Sequence, residues 1–245
     1  MSLGPVQHPE SVVAVYSGGI DSTVMLYAMR ERGIDIRGAI SFDYGQKHRK
    51  EIDVAAKVCE QLAIEHQIAD LRAISGLFGH SGLVDRESVV PEGHYEEESM
   101  KSTVVPNRNM ILISLATAWA ITKDAQGVAY AAHSGDHAIY PDCRESFAAA
   151  LDQAIQQCDW TSVRLYRPFV ESSKSEILAE GARLKAPLGE AWSCYKGGDL
   201  HCGRCGTCIE RREAFFLAGV EDPTVYQADA PELETLVNAG WRLTT

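Results

Sequence analysis

The chain alternates short apolar runs with longer amphipathic segments. The first run, Val12-Val13-Ala14-Val15-Tyr16, is continuous and rich in β-branched residues, which is typical of a strand buried on both faces of a parallel sheet. A helical pattern follows it, continues to Arg32 and ends at Gly33. The same criteria predict further strands at 36–42, 66–71, 127–132 and 163–167. Further helices are predicted at 48–62, 107–123, 144–157, 173–185 and 209–217.

Strands that alternate with helices in this way predict a Rossmann-like α/β fold, with a doubly wound parallel sheet of about five strands. In the strand order 3-2-1-4-5, the first and fourth strands are neighbours, and a crevice opens at their carboxyl ends. Ser173-Lys174-Ser175-Glu176 is a capping box that marks the start of one helix. Residues 72–104 lose the periodicity and predict a long active-site loop or lid, because unstructured loops of that length are usually functional.

Composition and charge narrow the class of protein. Hydrophobic residues make up 45% and charged residues 23% of the 245 positions, as in ordinary globular proteins. The net charge of −11 argues against a broad nucleic-acid surface, which needs clustered cations. The most apolar stretch, 110–121, is shorter than the roughly 20 residues that span a bilayer. The N-terminus also lacks the order of a signal peptide, so a cytoplasmic protein without membrane contact is expected.

A turn rich in glycine and hydroxyl groups, Ser17-Gly18-Gly19-Ile20-Asp21-Ser22-Thr23, follows the first strand. A strand, a glycine turn and a helix in succession aim backbone N–H groups and a helix N-terminus at phosphate. The turn matches neither G-x-x-x-x-G-K-[ST] nor G-x-G-x-x-G, so a Walker loop and a dinucleotide fingerprint are both excluded. A capped helix start without a ligand is the plainer alternative. The density of polar groups favours a phosphate site.

Four of the seven cysteines lie within 15 positions, which is a poor disulfide framework and indicates a reducing compartment. Their spacing matches a closed tetrahedral zinc site, in which four thiolates fill the coordination shell at about 2.3 Å. A redox pair needs only two cysteines, and the usual iron–sulfur spacing is absent. His201 is a competing ligand, while Cys59, Cys143 and Cys158 lie outside the cluster. The predicted ligands of one structural zinc are Cys194, Cys202, Cys205 and Cys208.

Further motifs identify a family. The glycine turn resembles the pyrophosphate (PP) loop of the N-type ATP pyrophosphatases, which cleave ATP between its α and β phosphates. Phe42-Asp43-Tyr44-Gly45-Gln46-Lys47-His48-Arg49, Val105-Pro106-Asn107-Arg108-Asn109, Tyr140-Pro141-Asp142-Cys143-Arg144 and Cys194-Tyr195 follow it in order. Together with the cysteine ribbon, these segments are similar to the 7-cyano-7-deazaguanine synthase family of queuosine biosynthesis. The resemblance runs from about Val13 to Arg212, with departures at Asn107, where the family often has glycine, and in residues 133–137.

The resemblance implies a PP-loop domain at 11–192, a zinc segment at 193–218 and a C-terminal tail at 219–245. It implies that 7-carboxy-7-deazaguanine, ammonia and ATP with magnesium are converted to a nitrile through an adenylated carboxylate and an amide. It also implies one zinc per chain and a homodimer, while the net charge of −11 leads us to expect no nucleic-acid partner. Two alternatives remain: a relative that stops at the amide or uses another amine, and a zinc-ribbon module that recognises tRNA.

The expected strand order places the glycine turn beside residues 133–144 and so predicts a site. The predicted ATP-binding residues are Tyr16, Ser17, Gly18, Gly19, Ile20, Asp21, Ser22, Thr23, Val24, Met25 and Leu26. The predicted catalytic residues are Asp21, Ser22, Arg108 and Lys174. Lys174 could neutralise pyrophosphate, with a solvent-exposed lysine as the alternative. Arg108 opens a helix, where its charge opposes the helix dipole, so an anionic ligand is the better reason for it.

The substrate pocket is predicted from the groups expected near the fourth strand. A guanine-like base presents N1–H and an amino group, which one carboxylate can accept together. Asp136 or Asp142 could supply that carboxylate, although either could instead cap the helix that follows. The predicted substrate-binding residues are His133, Asp136, Asp142 and Arg144.

Overall fold

The structure, a computed structural model, describes residues 8–79, 81–85 and 87–243. Its centre is a five-stranded parallel sheet, which confirms the predicted α/β fold, and its order β3-β2-β1-β4-β5 is the one considered from the sequence. β1 pairs with β2 on one side and with β4 on the other, so its apolar side chains are buried on both faces. The strands are β1 Ser11–Val15, β2 Asp35–Asp43, β3 His66–Asp70, β4 Gly127–Ala129 and β5 Arg164–Tyr166.

Helices cover both faces of the sheet. The α-helices are α1 Ile20–Glu31, α2 Lys50–Leu62, α3 Arg108–Thr122, α4 Glu145–Ile155, α5 Lys174–Arg183, α6 Gly206–Ala218 and α7 Leu233–Asn238. Apolar residues of α3 and α4 pack with Val13 and Val128 in one core cluster. Those of α1, α2 and α5 pack with Val12 and Ala14 in a second. The two clusters take alternate residues of the same strand, which is the doubly wound arrangement.

The predicted start of α5 is confirmed by its cap, whereas that of α6 is displaced. Ser173 Oγ accepts a hydrogen bond from Glu176 N, and the Glu176 side chain accepts one from Ser173 N, so the capping box at α5 is confirmed. Helix α6 begins at Gly206, three residues before its predicted start, because the Cys205 carbonyl already accepts from Cys208 N and Ile209 N. Strand β4 ends at Ala129, earlier than predicted, which leaves the following residues free to enter the site.

The segment 72–104, predicted to lack regular structure, contains 3-10 helices at Arg72–Phe78 and Glu98–Thr103. Its buried side chains Phe78, Leu83 and Met100 join the core that α3 and α4 cover. The segment therefore contributes to the packed core as well as to the site. Within the described part of the tail, Leu236 and Trp241 pack on Ile209 of α6. Among the described residues, no helix combines the length and the apolar character that crossing a bilayer requires.

Candidate active site

A cavity of about 230 Å³ opens at the carboxyl ends of β1, β2 and β4. The N-terminal parts of α1, α2, α3, α5 and α6 reach it, together with Tyr95 from the segment 72–104. This is the crevice at the reversal of strand order, where ligands of open α/β sheets bind. The structure thus brings five helix starts and three strand ends to one place.

The glycine turn forms one wall of the cavity. Gly18 has a φ of +83°, and a Cβ there would lie 2.2 Å from the Glu51 carbonyl oxygen of α2, so no side chain fits. Ser17 Oγ accepts from Gly19 N at 3.2 Å and lies 3.1 Å from Ser22 Oγ. Ser22 Oγ in turn lies 3.2 Å from the Gly19 carbonyl oxygen, to which it donates. The hydroxyl groups brace the turn and leave the N-terminus of α1 facing the cavity.

A buried ionic cluster stands beside the turn. Lys174 Nζ, at the start of α5, donates to Asp21 Oδ2 of α1 at 2.6 Å and lies 3.4 Å from Glu210 Oε2 of α6. Burial opposes the charged form of Asp21, but the charges of Lys174 and His133 outweigh it and lower the pKa of Asp21. Burial likewise opposes the charge on Lys174, yet Asp21 and Glu210 raise its pKa. Asp21 Oδ1 is buried and has no partner among the described residues.

His133 and Asp136, which follow β4 in the chain, lie on one side of this cluster. Gly135 N donates to His133 Nδ1 at 3.1 Å, so Nδ1 is an acceptor and the proton of a neutral ring sits on Nε2. His133 Nε2 lies 3.6 Å from Asp136 Oδ1 and 3.7 Å from Glu210 Oε1. Tyr95 Oη donates to Asp136 Oδ1 at 2.8 Å, and His133 N donates to Asp136 Oδ2. Asp136 therefore has a partner on each oxygen.

Residues of β2, α2 and α3 form a further wall of the cavity. Arg108 Nη1 lies 3.5 Å from Tyr44 Oη, and among the described residues no carboxylate oxygen comes within 4 Å of its guanidinium. Burial raises the pKa of Glu51 to about 8, although a hydrogen bond from Gln46 and the charge of Arg108 act to lower it. Burial, followed by the charge of Arg108, lowers the pKa of His48 to about 3, so the ring is neutral.

The departure at Asn107 has a conformational explanation. Asn107 precedes α3 with a φ of +59°, in the left-handed region where glycine is unstrained and asparagine is among the best-tolerated alternatives. The same backbone geometry is thus available to asparagine, and Arg108 still opens the helix and lines the cavity.

The remaining predicted residues lie in several places. Asp142 Oδ2 accepts from Asn109 N in the first turn of α3, and exposed Arg144 donates to the His137 carbonyl. Neither belongs to the lining of the cavity, and their binding of substrate stays a prediction. Tyr16, Ser17, Gly19, Ile20, Asp21 and Ser22 line the cavity. Thr23, Val24, Met25 and Leu26 are buried inside α1.

Several lining residues carry ionisable or polar groups that the sequence interpretation did not single out. They are Tyr95, Glu210 and Glu51, together with His48, which the sequence indicates only as part of the motif at 42–49. Glu210 follows the last cluster cysteine by two positions, and Glu51 lies in the first turn of α2. The only local signal is a polar residue in the first turn of a helix that follows a motif, which many solvent-exposed residues share.

The cysteine cluster lies beside the cavity. Tetrahedral bonds of about 2.3 Å place the sulfur atoms about 3.8 Å apart. Here the four Sγ atoms lie within 4.8 Å of one another, all are buried, and Cys202 Sγ is 3.9 Å from Cys208 Sγ. Backbone N–H groups of Arg204 and Cys205 point at Cys202 Sγ, as thiolates require. His201 Nε2 accepts from Ser193 N instead. The four cysteines can therefore hold a metal ion, and they fit a tetrahedral one.

Comparison with known proteins places this site in a family. The sequence model of the family described as Queuosine biosynthesis protein QueC matches residues 11–219. The chain is 50% identical to the 7-cyano-7-deazaguanine synthase of Marinobacter nauticus, over 89% of this chain and 98% of that protein. It is 52% identical to the enzyme of that name from Rhizobium etli, over 88% and 91%. An NH3-dependent NAD synthetase from Campylobacter jejuni matches in structure with a TM-score of 0.46 and 15% identity, over 87% and 77%. By its sequence over most of its length, the chain belongs to the Queuosine biosynthesis protein QueC family.

Proposed function

We propose that the chain is a ligase that converts 7-carboxy-7-deazaguanine and ammonia into 7-cyano-7-deazaguanine, with ATP cleaved to AMP and pyrophosphate. The observation that carries the proposal is the buried Lys174–Asp21 pair against a glycine turn, in a chain about half identical to enzymes of that name. The residues that match the QueC family model include all the residues that line the cavity.

The glycine turn and Lys174 act on the phosphates. The N-terminus of α1 and the hydroxyl groups of the turn would receive the β and γ phosphates, since helix N-termini and adjacent N–H groups favour anions. Lys174 keeps its proton, because its carboxylate neighbours raise its pKa, and so it neutralises the pyrophosphate that departs. Arg108 would hold the carboxylate of the substrate, since it has no carboxylate partner of its own among the described residues.

The reaction needs two activations because an oxygen must leave twice. A carboxylate oxygen attacks the α phosphorus of ATP, the bond to the β phosphate breaks, and pyrophosphate leaves. Ammonia then attacks the acyl carbon and AMP leaves, which forms the amide. The amide oxygen attacks a second ATP in the same way, and loss of AMP with two protons forms the nitrile. One cavity with one glycine turn serves both activations.

The metals of the proposal have separate roles. Cys194, Cys202, Cys205 and Cys208 would hold zinc, which supplies structural cross-linking between α6 and the segment before it. Asp21 Oδ1, buried without a partner among the described residues, is the oxygen suited to a magnesium ion that accompanies ATP. The family resemblance also supports a cytoplasmic homodimer that acts on a small molecule without nucleic acid. Light scattering of the purified protein tests the dimer.

Product analysis tests the proposal. The protein is mixed with magnesium ATP, ammonium and 7-carboxy-7-deazaguanine, and the products are followed by mass spectrometry. We expect the nitrile, with AMP at about two per nitrile because each activation releases one. Amide alone, with one AMP each, would replace the proposal by an amide-forming relative. ADP as the nucleotide product would overturn the assignment to ATP pyrophosphatases.

A further inference from the structure

Two buried ionisable residues in the cavity take no part in the chemistry described so far. His48 and Glu51 lie where β2 leads into α2, and their side chains are only 5% and 14% exposed. Both line the same cavity as Lys174, but from the side that carries Arg108. Neither forms an ion pair with a lysine or arginine among the described residues.

The hydrogen bonds of this pair are incomplete. Glu51 Oε1 accepts from Gln46 Nε2 at 3.2 Å, and Glu51 Oε2 lies 3.5 Å from His48 Nε2. His48 Nδ1 is buried and has no partner in the described part of the chain. Since unpartnered buried polar atoms are rare and costly, Nδ1 and the loosely held carboxylate oxygen point to a ligand that carries several donors.

The charges favour a small cation over an anion. Of the described residues, Glu51 contributes the only carboxyl group on this wall of the cavity. Burial raises its pKa to about 8, and a cation bound beside it would favour the carboxylate form. Arg108 is near enough to affect the pKa of both residues, so an anionic group held by Arg108 would lie beside the pair. Ammonium supplies four N–H donors and one positive charge in the smallest volume.

The N1–H and amino edge of the deazaguanine ring is a poorer candidate than ammonium for the ligand of Glu51 and His48. Its N1–H and amino group are donors, but they lie across the ring system from the 7-carboxylate that must reach ATP. Glu51 stands on the ATP side, because its own backbone carbonyl packs against Gly18 of the glycine turn. A group at that position adjoins the reacting carbon rather than the far edge of the ring.

We propose that Glu51 and His48 bind ammonium and that Glu51 removes its first proton. The inference rests on the proposed function and names the residues that prepare its nucleophile. Ammonium gives one proton to the Glu51 carboxylate and becomes ammonia, whose lone pair forms the C–N bond with the acyl adenylate. The bond from that carbon to the AMP oxygen breaks, and AMP leaves with the electron pair. A second proton passes from nitrogen to solvent, which leaves the neutral amide.

The test separates use of ammonium from adenylation. In Glu51→Gln, amide formation at neutral pH should lose at least about tenfold in kcat/KM for ammonium, as expected for a missing base. Pyrophosphate release from ATP and 7-carboxy-7-deazaguanine without ammonium should lose clearly less than the ammonium-dependent step. Hydroxylamine, which is uncharged at neutral pH, should still trap the adenylate as a hydroxamate. The ammonium-dependent rate of the variant should recover at higher pH, as free ammonia increases.

Two further variants serve as a control and as an independent test of the ammonium site. Asp53→Asn removes an acidic residue from the same helix turn but is exposed and outside the cavity lining, so it should match wild type in every assay. His48→Phe keeps a ring while it removes the unpartnered nitrogen, and should raise KM for ammonium even if Glu51→Gln folds poorly.

Several outcomes would overturn the inference. Unchanged ammonium kinetics and pH profile in a folded Glu51→Gln protein would remove the proposed role. An increase in KM for 7-carboxy-7-deazaguanine, with KM for ammonium unaltered, would assign the carboxylate to the ring edge. Equal loss of ammonia and hydroxylamine reactions would indicate a structural role. Absence of pyrophosphate release in wild type would contradict the proposed function itself, and so is distinguishable from failure of the ammonium site.

Discussion

At the scale of single residues, Asp21 has two oxygens with different surroundings. Oδ2 pairs with Lys174 at 2.6 Å, whereas Oδ1 is buried without a partner among the described residues. The first oxygen therefore holds the lysine beside the glycine turn, and the second is available to a ligand. Because both functions need a charge, a neutral isostere should lose them while it preserves the shape of the site.

Asp21→Asn should slow pyrophosphate release by more than about tenfold, which corresponds to about 1.4 kcal/mol of transition-state stabilisation. The measurement is pyrophosphate release with ATP and the carboxylate substrate. Ser17→Ala should be milder, because Ser17 Oγ braces the turn through hydrogen bonds without charge. Wild-type release by a well-folded Asp21→Asn protein would remove Asp21 from the phosphate site.

Glu51 predicts how stability depends on pH. Its pKa rises from 4.5 to about 8 on folding because burial favours the neutral form. Its contribution to stability is therefore complete below pH 4.5 and is lost as pH rises through about 8. Between pH 5 and pH 8 the unfolding free energy of wild type should decrease as Glu51 ionises. The decrease should be smaller in Glu51→Gln, and the difference between the two decreases should be about 3 kcal/mol. Urea denaturation of both proteins at several pH values measures the difference, and parallel curves would contradict it.

At the scale of elements, the glycine turn depends on its contact with α2. Gly18 combines a left-handed backbone with a carbonyl oxygen 2.2 Å from where a Cβ would lie, so the strand–turn–helix unit and α2 would have to separate for any side chain. Gly33, which ends α1, has a φ of +72°, but a Cβ there would meet no atom of the described residues within 4 Å. A side chain at Gly18 would therefore meet both backbone strain and steric contact, whereas a side chain at Gly33 would meet backbone strain alone.

Gly18→Ala should abolish ATP binding and destabilise the protein by more than about 2 kcal/mol, since both strain and overpacking act. Gly33→Ala should cost only about 1 kcal/mol, from the left-handed conformation alone, and should retain activity. Thermal denaturation and calorimetric titration with ATP check both variants. Equal effects of the two substitutions would show that contact with α2 is unimportant.

At the scale of the whole molecule, the cysteine cluster connects the site to the C-terminal part of the chain. Helix α6 carries Cys208, the site residue Glu210 and the fully buried Arg211. Arg211 donates to the carbonyls of Ala191 and Leu188, so it joins α6 to the segment that leads into the cluster. Loss of a bound metal should therefore displace Glu210, although none of the four cluster cysteines lines the cavity.

Metal removal should reduce stability and activity together. We expect about one zinc per chain by elemental analysis, and we expect chelation or Cys205→Ser to lower the melting temperature and the rate of adenylation. The physical reason is that four thiolates without a metal leave the start of α6 unsupported. Normal folding and activity of a metal-free protein would contradict a structural metal at this cluster.

The local patterns of the sequence determined the elements, the glycine turn and the four-cysteine cluster that can hold a metal ion. Periodicity reports which side chains a strand or helix must bury, and the spacing of the cysteines in residues 194–208 limits where four sulfurs can meet. The capping box at Ser173 determined where α5 begins, and alternation of strands with helices indicated a parallel sheet. Each of these depends on residues that are close in the chain.

Only the tertiary structure decided which distant residues share the cavity. Asp21, Lys174 and Glu210 come from three helices that are far apart in sequence, and nothing local shows that both carboxylates lie within 3.4 Å of the lysine Nζ. Likewise, Glu51 is an ordinary polar position at a helix start in the sequence, and the motif that contains His48 does not show that the two residues are buried together; burial is the main cause of their perturbed pKa values. The physical reason is that burial and electrostatic coupling depend on how the whole chain packs, whereas propensity and spacing depend only on neighbouring residues.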